Sequence, residues 1–445
     1  MSAGLEVLIV LVIFLGLLAA GMAIPFAIGV PAIVYLLLHG GVPALRGIGL
    51  MSWGSMNSFS LTAIPLFILM AEIMQHSGLS FRIYRGLSKL VCVIPGGLLQ
   101  TNIAGCALFA AISGSSVATV VAVGSIMLPA MVKQGYPKRF GAGVITTSGA
   151  LGILFPPSIN LVIYSIATAG MSVTGPHGES VGSASVGALF LAGIVPGLCL
   201  SFLLGVTTWW RAKKFDYPRM PKASWGERWH AFRESMWGLL LIVVVIGGIY
   251  SGIFTPTEAA AIAAVYAFFI SVFVYKDLKL SEVPKSLRSA AAMSSMLLYI
   301  ITNAVLFSFL MTSEQIPQAM AAWMTSQGFG LVVFLLLVNI ILLAAGNFMD
   351  PAAIVLIMAP ILFPVAVKLG VDPIHFGILM AVNMEVGLCH PPVGLNLYVA
   401  SGITKMGITE LTVAVGPWLL TMIAFLVVVT FWPPLSLWLP HLMFK

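Results

Sequence analysis

Two short stretches constrain this chain more than any other, Gly152 to Asn160 and Gly387 to Asn396. Each sets a proline pair, Pro156-Pro157 or Pro391-Pro392, and an Asn inside an apolar run of membrane length. A proline removes a backbone donor and clashes with the preceding turn, so a pair breaks a helix. Inside lipid the freed carbonyls are tolerated only where protein or a water-filled cavity covers them. Two such breaks at matching places in the two halves point to a binding site near the middle of a membrane.

Composition fits that reading. The 445 residues are 60% hydrophobic and 8% charged, with a mean hydropathy of +1.07. Apolar runs of about twenty residues recur throughout, as in a polytopic helical membrane protein rather than a β-barrel. The net charge of +7 sits in loops between those runs. That is the pattern of topology determinants, not of a nucleic-acid-binding surface. No basic stretch precedes the first apolar run, so residues 5–20 read as a retained helix and not a signal peptide. Cys92, Cys106, Cys199 and Cys389 are scattered singly and read as small packing residues.

The chain also repeats. A shift of 235 residues lays Pro129 on Pro364, Lys133 on Lys368, Gly135 on Gly370 and Gly152 on Gly387. It also lays Pro156-Pro157 on Pro391-Pro392, and one more residue brings Asn160 onto Asn396. The order of prolines, glycines and an Asn implies a duplication. The expected units are residues 1–210 and 237–445, separated by a basic linker at 211–236.

In the first unit, helices are expected at 5–21 and 24–38, a loop around His39 and Arg46, and a helix at 62–76. Short arms at 102–112 and 117–131 flank Ser113-Gly114-Ser115-Ser116. At 1.5 Å per residue these reach about 16 and 22 Å, less than the ~30 Å hydrocarbon core, so 102–132 reads as a re-entrant hairpin. A broken helix over 141–169 and a helix over 187–210 follow. The second unit repeats the order, with helices at 237–252, 257–275 and 290–311, an amphipathic stretch at 313–327 and a hairpin at 330–368. A broken helix over 376–403 and a last helix near 411–432 complete it.

Lys and Arg cluster at 82–89, 133–139, 211–233 and 276–288. The positive-inside rule puts all of these in the cytoplasm, and both termini and the 174–180 loop outside. Each unit then crosses five times and dips in once, so the second copy is inverted relative to the first. The expected fold is an all-α polytopic membrane protein of inverted repeats, in which the two hairpin tips meet mid-membrane. Trp209, Trp210, Trp225, Trp229 and Trp237 bracket the linker as interfacial anchors, which suggests a fixed scaffold beside a mobile core.

Broken helices and hairpin tips offer neutral oxygens for a small cation, and their exposed N–H groups suit anions. The candidate cation ligands are Ser113, Ser115, Ser116, Gly149 and Phe155 in the first half, with Gly346, Asn347, Gly387 and His390 in the second. Ser115, Ser158, Asn160, Asp350 and Asn396 are the candidate substrate contacts. Plainer roles stand beside these: small-residue packing for the Ser-Gly-Ser-Ser tip, a hydrogen-bonded core position for His390, a helix cap for Asp350. Glu385 is costly in lipid unless it is paired or wet, and either a structural partner or a transport role fits it. Glu72 and Glu258, near helix ends, read as interfacial.

Four segments carry a family resemblance: Ser113 to Ala118, Phe155 to Asn160, Gly346 to Pro351 and His390 to Asn396. Together, and over the full length, the chain resembles the large membrane subunit of tripartite ATP-independent periplasmic transporters. The resemblance implies a sodium-driven importer of organic acids such as dicarboxylates or sialic acid, working by an elevator-like movement. It implies two or more transported Na+ ions at the tips and breaks, and no organic cofactor. It also implies two protein partners in a bacterial inner membrane, a small four-helix membrane subunit and a periplasmic substrate-binding protein. With the sequence ending at Lys445, the small subunit is expected as a separate chain. No Walker motif or HExxH is present, so the sequence offers no ATP-driven step and no zinc-protease set. The alternatives are an ion-coupled anion transporter working alone, a channel or an intramembrane enzyme.

Overall fold

The computed structural model describes residues 9–10, 12–14, 16–17, 20–91, 95–176, 178–218, 223–315, 319–320, 322, 326–347 and 349–443. About half of the expected first helix, Cys92, His177, Arg219, Lys222, Phe348 and parts of the 313–327 stretch lie outside these. Among the described residues the chain is helical almost throughout, and eight helices are long and apolar enough to cross a membrane.

The first helix described in full, α1 (Ile24–Met56), runs past the loop expected near His39. Gly41, at φ +61° and ψ −163°, leaves the helical conformation, so the segment is two helices that meet at a kink just after His39. Helices α2 (Ala63–His76) and α3 (Leu79–Val91) follow, and α3 is strongly amphipathic. The first hairpin is α4 (Gly97–Ser113) and α5 (Ser116–Lys133). Its arms have 17 and 18 residues, longer than the sequence suggested. The first broken helix is α6 (Lys138–Gly149), a 3₁₀ turn at Ala150–Ile153, and α7 (Ile159–Ala167).

The polar stretch after α7 forms a two-stranded antiparallel hairpin, β1 (Val173–Thr174) with β2 (Ser180–Val181). Helix α8 (Val186–Lys214) runs on into the basic segment. Helix α9 (Trp225–Tyr250) starts well before the expected residue 237. A capping box explains the early start: Ser224 accepts from the Glu227 N–H, and the Glu227 carboxylate accepts from the Ser224 N–H. Residues 225–236, read from the sequence as linker, are therefore helical.

Helices α10 (Pro256–Phe269) and α11 (Val283–Ser313) lead to the second hairpin, α12 (Leu331–Gly346) and α13 (Pro351–Lys368). The second broken helix is α14 (Pro373–Cys389) and α15 (Leu395–Thr404). After α16 (Ile408–Phe431) comes a helix not expected from the sequence, α17 (Pro434–Met443). Both Pro-Pro bonds are cis.

Packing sorts the helices into two sets. α1 lies along α11, α10 along α2, and α9 along α3. In the other set α16 packs on α6, α14 on α12 and α17 on α8. The sets meet where α11 runs against α13 and where α3 and α2 touch α4. On the cytoplasmic side expected from the charges, Arg82 of α3 makes a two-pronged ion pair with Asp277 and lies 4.2 Å from the Tyr275 ring centre. The Asp277 hydrogen bond holds the Arg82 guanidinium above its ordinary pKa.

Candidate functional site

Each hairpin tip is pressed against the break of its own half, and glycine makes the approach possible. Gly114, at φ +59°, turns the first tip, and a side chain there would strike the Pro157 carbonyl. Its own carbonyl accepts from the Ile159 N–H at 3.4 Å. From the other side, a Cβ on Gly152 would come within 2.5 Å of the Ser115 backbone. In the second half Gly346 and Gly387 face each other, and a Cβ on either would lie 3.0 Å from the other's Cα. His390 Nδ1 and Asn347 Oδ1, 3.3 Å apart, close that contact.

Above the tips a second pair of ties recurs. Asn102 of α4 donates to Ser148 Oγ of α6 at 2.7 Å, and Asn383 of α14 donates to Asn339 Oδ1 of α12 at 2.8 Å. The 235-residue shift places Ser148 on Asn383. Each hairpin is thus bonded to its own broken helix along the arm as well as at the tip.

The halves are joined to each other by Asn396. Its amide donates to Ser116 Oγ at 2.8 Å and to the Thr146 carbonyl at 3.3 Å, while Ser116 Oγ lies 3.1 Å from Asn396 Oδ1. Cys389 also donates to the Thr146 carbonyl, at 3.4 Å. Ser116 and Asn396 are both buried. Thr146 and Cys389 carry no motif in the sequence; only the fold brings them here.

Between the two tips and α11 lies a cavity of about 250 Å³. Its polar lining comes from Ser115, Ser116, Asn160 and Asp350, and Met293 and Met296 of α11 form the facing wall. Four helices begin at this cavity: α5, α7, α13 and α15. Ser115, Ser158 and Asp350 are their N-caps, accepting from the N–H groups of Ala118, Leu161 and Ala352. Gly394 begins α15 with no side-chain cap. Four N-terminal dipoles aimed at one space make it favourable to an anion. Among the described residues Asp350 is the one carboxylate in the lining.

The other expected residues sit around this cavity and not in its wall. Ser113 is buried within the first tip, 3.1 Å from Thr119 Oγ1. Ser158 donates to the Ile153 carbonyl inside the break. Gly149 backs onto Val120, and Phe155 packs its ring against Gly197. Gly346, Asn347, Gly387 and His390 form the second tip-and-break contact. The sequence missed the α11 methionines, which lie outside any motif. A larger open cavity of about 600 Å³, near Asp372 and His441, lies at the start of α8 and α14 and holds none of the candidate residues.

Comparison with known proteins identifies the family. The family described as "Tripartite ATP-independent periplasmic transporter, DctM component" matches residues 11–435. The chain is 62% identical to the C4-dicarboxylate TRAP transporter large permease protein DctM of Rhodobacter capsulatus, over 99% of this chain and 100% of that one. It is 48% identical to the protein of the same description in Pseudomonas aeruginosa, over 89% of this chain and 90% of that one. The fold is similar to that of the Alcanivorax borkumensis YdaH transporter, with a TM-score of 0.66 at 16% identity over 90% of both chains. The chain therefore belongs to the tripartite ATP-independent periplasmic transporter family as its large membrane permease, a transporter component and not an enzyme.

Proposed function

We propose that this chain is the transport subunit of a sodium-coupled importer of C4-dicarboxylates. The observation that carries the substrate class is the convergence of four helix N-termini on one cavity that also holds serine and asparagine side chains. A small dicarboxylate would be held by N–H groups and hydroxyls rather than by a buried cation, which lets it bind and leave. The similarity to C4-dicarboxylate permeases supports that choice over sialic acid.

Sodium fits the two tip-and-break contacts. One gathers Ser113, Ser115 and Ser116 with the Gly149 to Phe155 segment; the other gathers Gly346 and Asn347 with Gly387 to His390. Each is shared between a hairpin and a broken helix, so an ion there would hold the two together and complete the substrate cavity between them. The ties Asn102–Ser148 and Asn383–Asn339 would let each hairpin and its broken helix travel as one body against the α1–α11 scaffold.

Large permeases of this family work with a periplasmic binding protein and a small membrane subunit. In this protein we assign both to separate chains, the small subunit against the scaffold and the binding protein on the outer loops. The setting is a bacterial inner membrane, with the basic segment 211–233 in the cytoplasm and both termini outside.

Succinate uptake into liposomes holding the permease, its small subunit and its binding protein tests the proposal. Uptake is expected to need an inward sodium gradient and both partners. Equal uptake under a sodium-free membrane potential would remove the sodium coupling. Full activity of the permease alone would favour an anion transporter that needs no partners.

A further inference from the structure

The three cations of α3 are neutralised within the chain: Arg82 by Asp277, Arg85 by Glu234 at 3.5 Å and Lys89 by Glu227 at 3.3 Å. The cations where α5 ends, α6 begins and α8 ends are not. Lys133, Lys138, Arg139, Arg211, Lys213 and Lys214 form no ion pair among the described residues. The one carboxylate in their segments, 133–139 and 211–216, is Asp216. The two segments make one surface. Tyr136 donates to the Pro218 carbonyl at 2.6 Å, and the Tyr217 ring meets Phe140 edge-on at 4.7 Å. Three of the cations suit the C-terminal dipole of α8, but Lys138 and Arg139 open α6, where the dipole opposes a positive charge.

Aromatic rings hold the α8 cations in place. Lys213 Nζ lies 5.4 Å from the Trp209 ring centre and Lys214 Nζ 5.3 Å from that of Trp210, each one turn back along the helix. The Arg211 guanidinium sits 5.4 Å from Phe140 and Phe215 and 5.5 Å from Trp418. Its Nε is shielded from solvent without a hydrogen-bond partner. Trp418 is fixed in turn, donating to Thr208 Oγ1 at 2.8 Å. Rings orient these cations without cancelling their charge. Trp209, Trp210 and Phe215 are themselves exposed, beside the exposed Lys213 and Lys214. A face turned to water needs the lysines but gains nothing from exposed tryptophans. At the end of an apolar spanning helix the two together mark the headgroup layer of a bilayer, rings among the upper chains and ammonium groups at the phosphates.

We propose that this basic and aromatic edge of α5, α6 and α8 is a binding site for anionic phospholipid headgroups. Lys213 and Lys214 on one side and Lys138 and Arg139 on the other meet the phosphates, and Trp209, Trp210 and Phe215 pack against the chains below them. Charge complementarity selects an anionic lipid over a zwitterionic one. The rings select a lipid over a soluble phosphate, which has nothing to pack against them. The site is independent of the transported ion and substrate.

Quenching of tryptophan fluorescence by brominated lipids tests this, with the permease and its small subunit in phosphatidylcholine vesicles. Brominated phosphatidylglycerol is expected to quench the wild type more than an equal fraction of brominated phosphatidylcholine. Most of that excess should be lost in the double variant Lys213→Gln with Lys214→Gln. Arg85→Gln with Lys89→Gln removes the same charge from cations already paired, and should keep the excess. No excess in the wild type would overturn the proposal, however the variants fold. So would an excess that survives the Lys213 and Lys214 changes, or one lost equally in the α3 variant. Removal of the excess by inorganic phosphate, but not by chloride at equal ionic strength, would give the site to a soluble anion and overturn it as well. The quenching is read without transport, so failure of sodium coupling leaves the result readable.

Discussion

Ser116 and Asn396 stand 280 residues apart in the chain, yet their side chains form a reciprocal hydrogen-bonded pair in the interior. The pair joins the tip of the first hairpin to the break of the second half. A buried polar partner left alone costs about 1–3 kcal/mol. Ser116→Ala should therefore lower stability by that order, softened because the Asn396 amide keeps the Thr146 carbonyl at 3.3 Å. Asn396→Ala should cost at least as much, and the double variant less than the sum of the two. Thermal unfolding of the three variants measures the coupling; strict additivity would mean the pair does not hold the halves together. If the ions lie at the tips, Ser116→Ala also raises the sodium concentration needed for half-maximal uptake.

Much of this junction is legible in the sequence, because it is built from residues with few other uses in lipid. Paired prolines, tip glycines and a repeated Asn mark the two breaks and tips before any coordinates. The Asn383 tie was also within reach, since the repeat lays it on Ser148. What the sequence does not carry is the choice of partners across the halves. Nothing local to Thr146 says that its carbonyl receives both Cys389 and Asn396, because that depends on how two distant helices cross. The helix ends depart from the sequence reading for a different reason. Residues 225–236 and 434–443 are too polar or too proline-rich to resemble membrane helices, and a cap or packing against α8 decides them instead.

The approach of Gly346 to Gly387 leaves little room for a methyl group on either residue. A Cβ at 3.0 Å from backbone makes the second tip or its break give by a few tenths of an ångström, and backbone yields less readily than a side chain. Gly387→Ala should slow uptake at least tenfold, and Gly387→Val should abolish it. Surface amounts that stay near wild type would place the fault in transport and not in insertion. A Gly387→Val protein with normal sodium dependence would separate this contact from ion binding.

Arg82 and Asp277 bind α3 to the loop that follows α10, outside the apolar spans. The pair is about a quarter exposed, so its worth is near the upper end for surface pairs, about 1 kcal/mol. Arg82→Lys loses the two-pronged contact and weakens the stacking on Tyr275, and should cost nearly as much as Arg82→Ala. Exchanging the charges, Arg82→Asp with Asp277→Arg, should recover part of the loss. Melting temperatures at low and high salt check this, with the smaller difference at high salt.

Topology is testable by labelling. In a cysteine-free background, Lys214→Cys should react only from the cytoplasmic side and Ser183→Cys only from outside. Both positions are exposed, so access rather than burial decides the outcome. Labelling of both from one side would end the inverted arrangement of the repeats.

Asp350 carries two roles that a pair of substitutions can separate. Its side chain caps α13, accepting from the Ala352 N–H at 2.9 Å. It also brings a carboxylate to a cavity on which four helix N-termini converge. Asn caps a helix about as well as Asp, whereas Ala forfeits about 1 kcal/mol of helix stability. Asp350→Asn should therefore keep the wild-type melting temperature, and Asp350→Ala should lower it. Both variants remove the charge. A nearby carboxylate favours a cation and opposes an anion, so its loss should weaken sodium binding and strengthen direct attraction of a dicarboxylate. If ion and substrate are linked, weaker sodium binding also weakens substrate binding by the same factor. At saturating sodium the direct term alone remains, and half-saturation for succinate should fall. At limiting sodium it should rise above wild type. That crossing of the two variants' curves with the wild-type curve is the expected result in uptake assays. Curves that differ from wild type only in proportion to protein stability would reduce Asp350 to a cap.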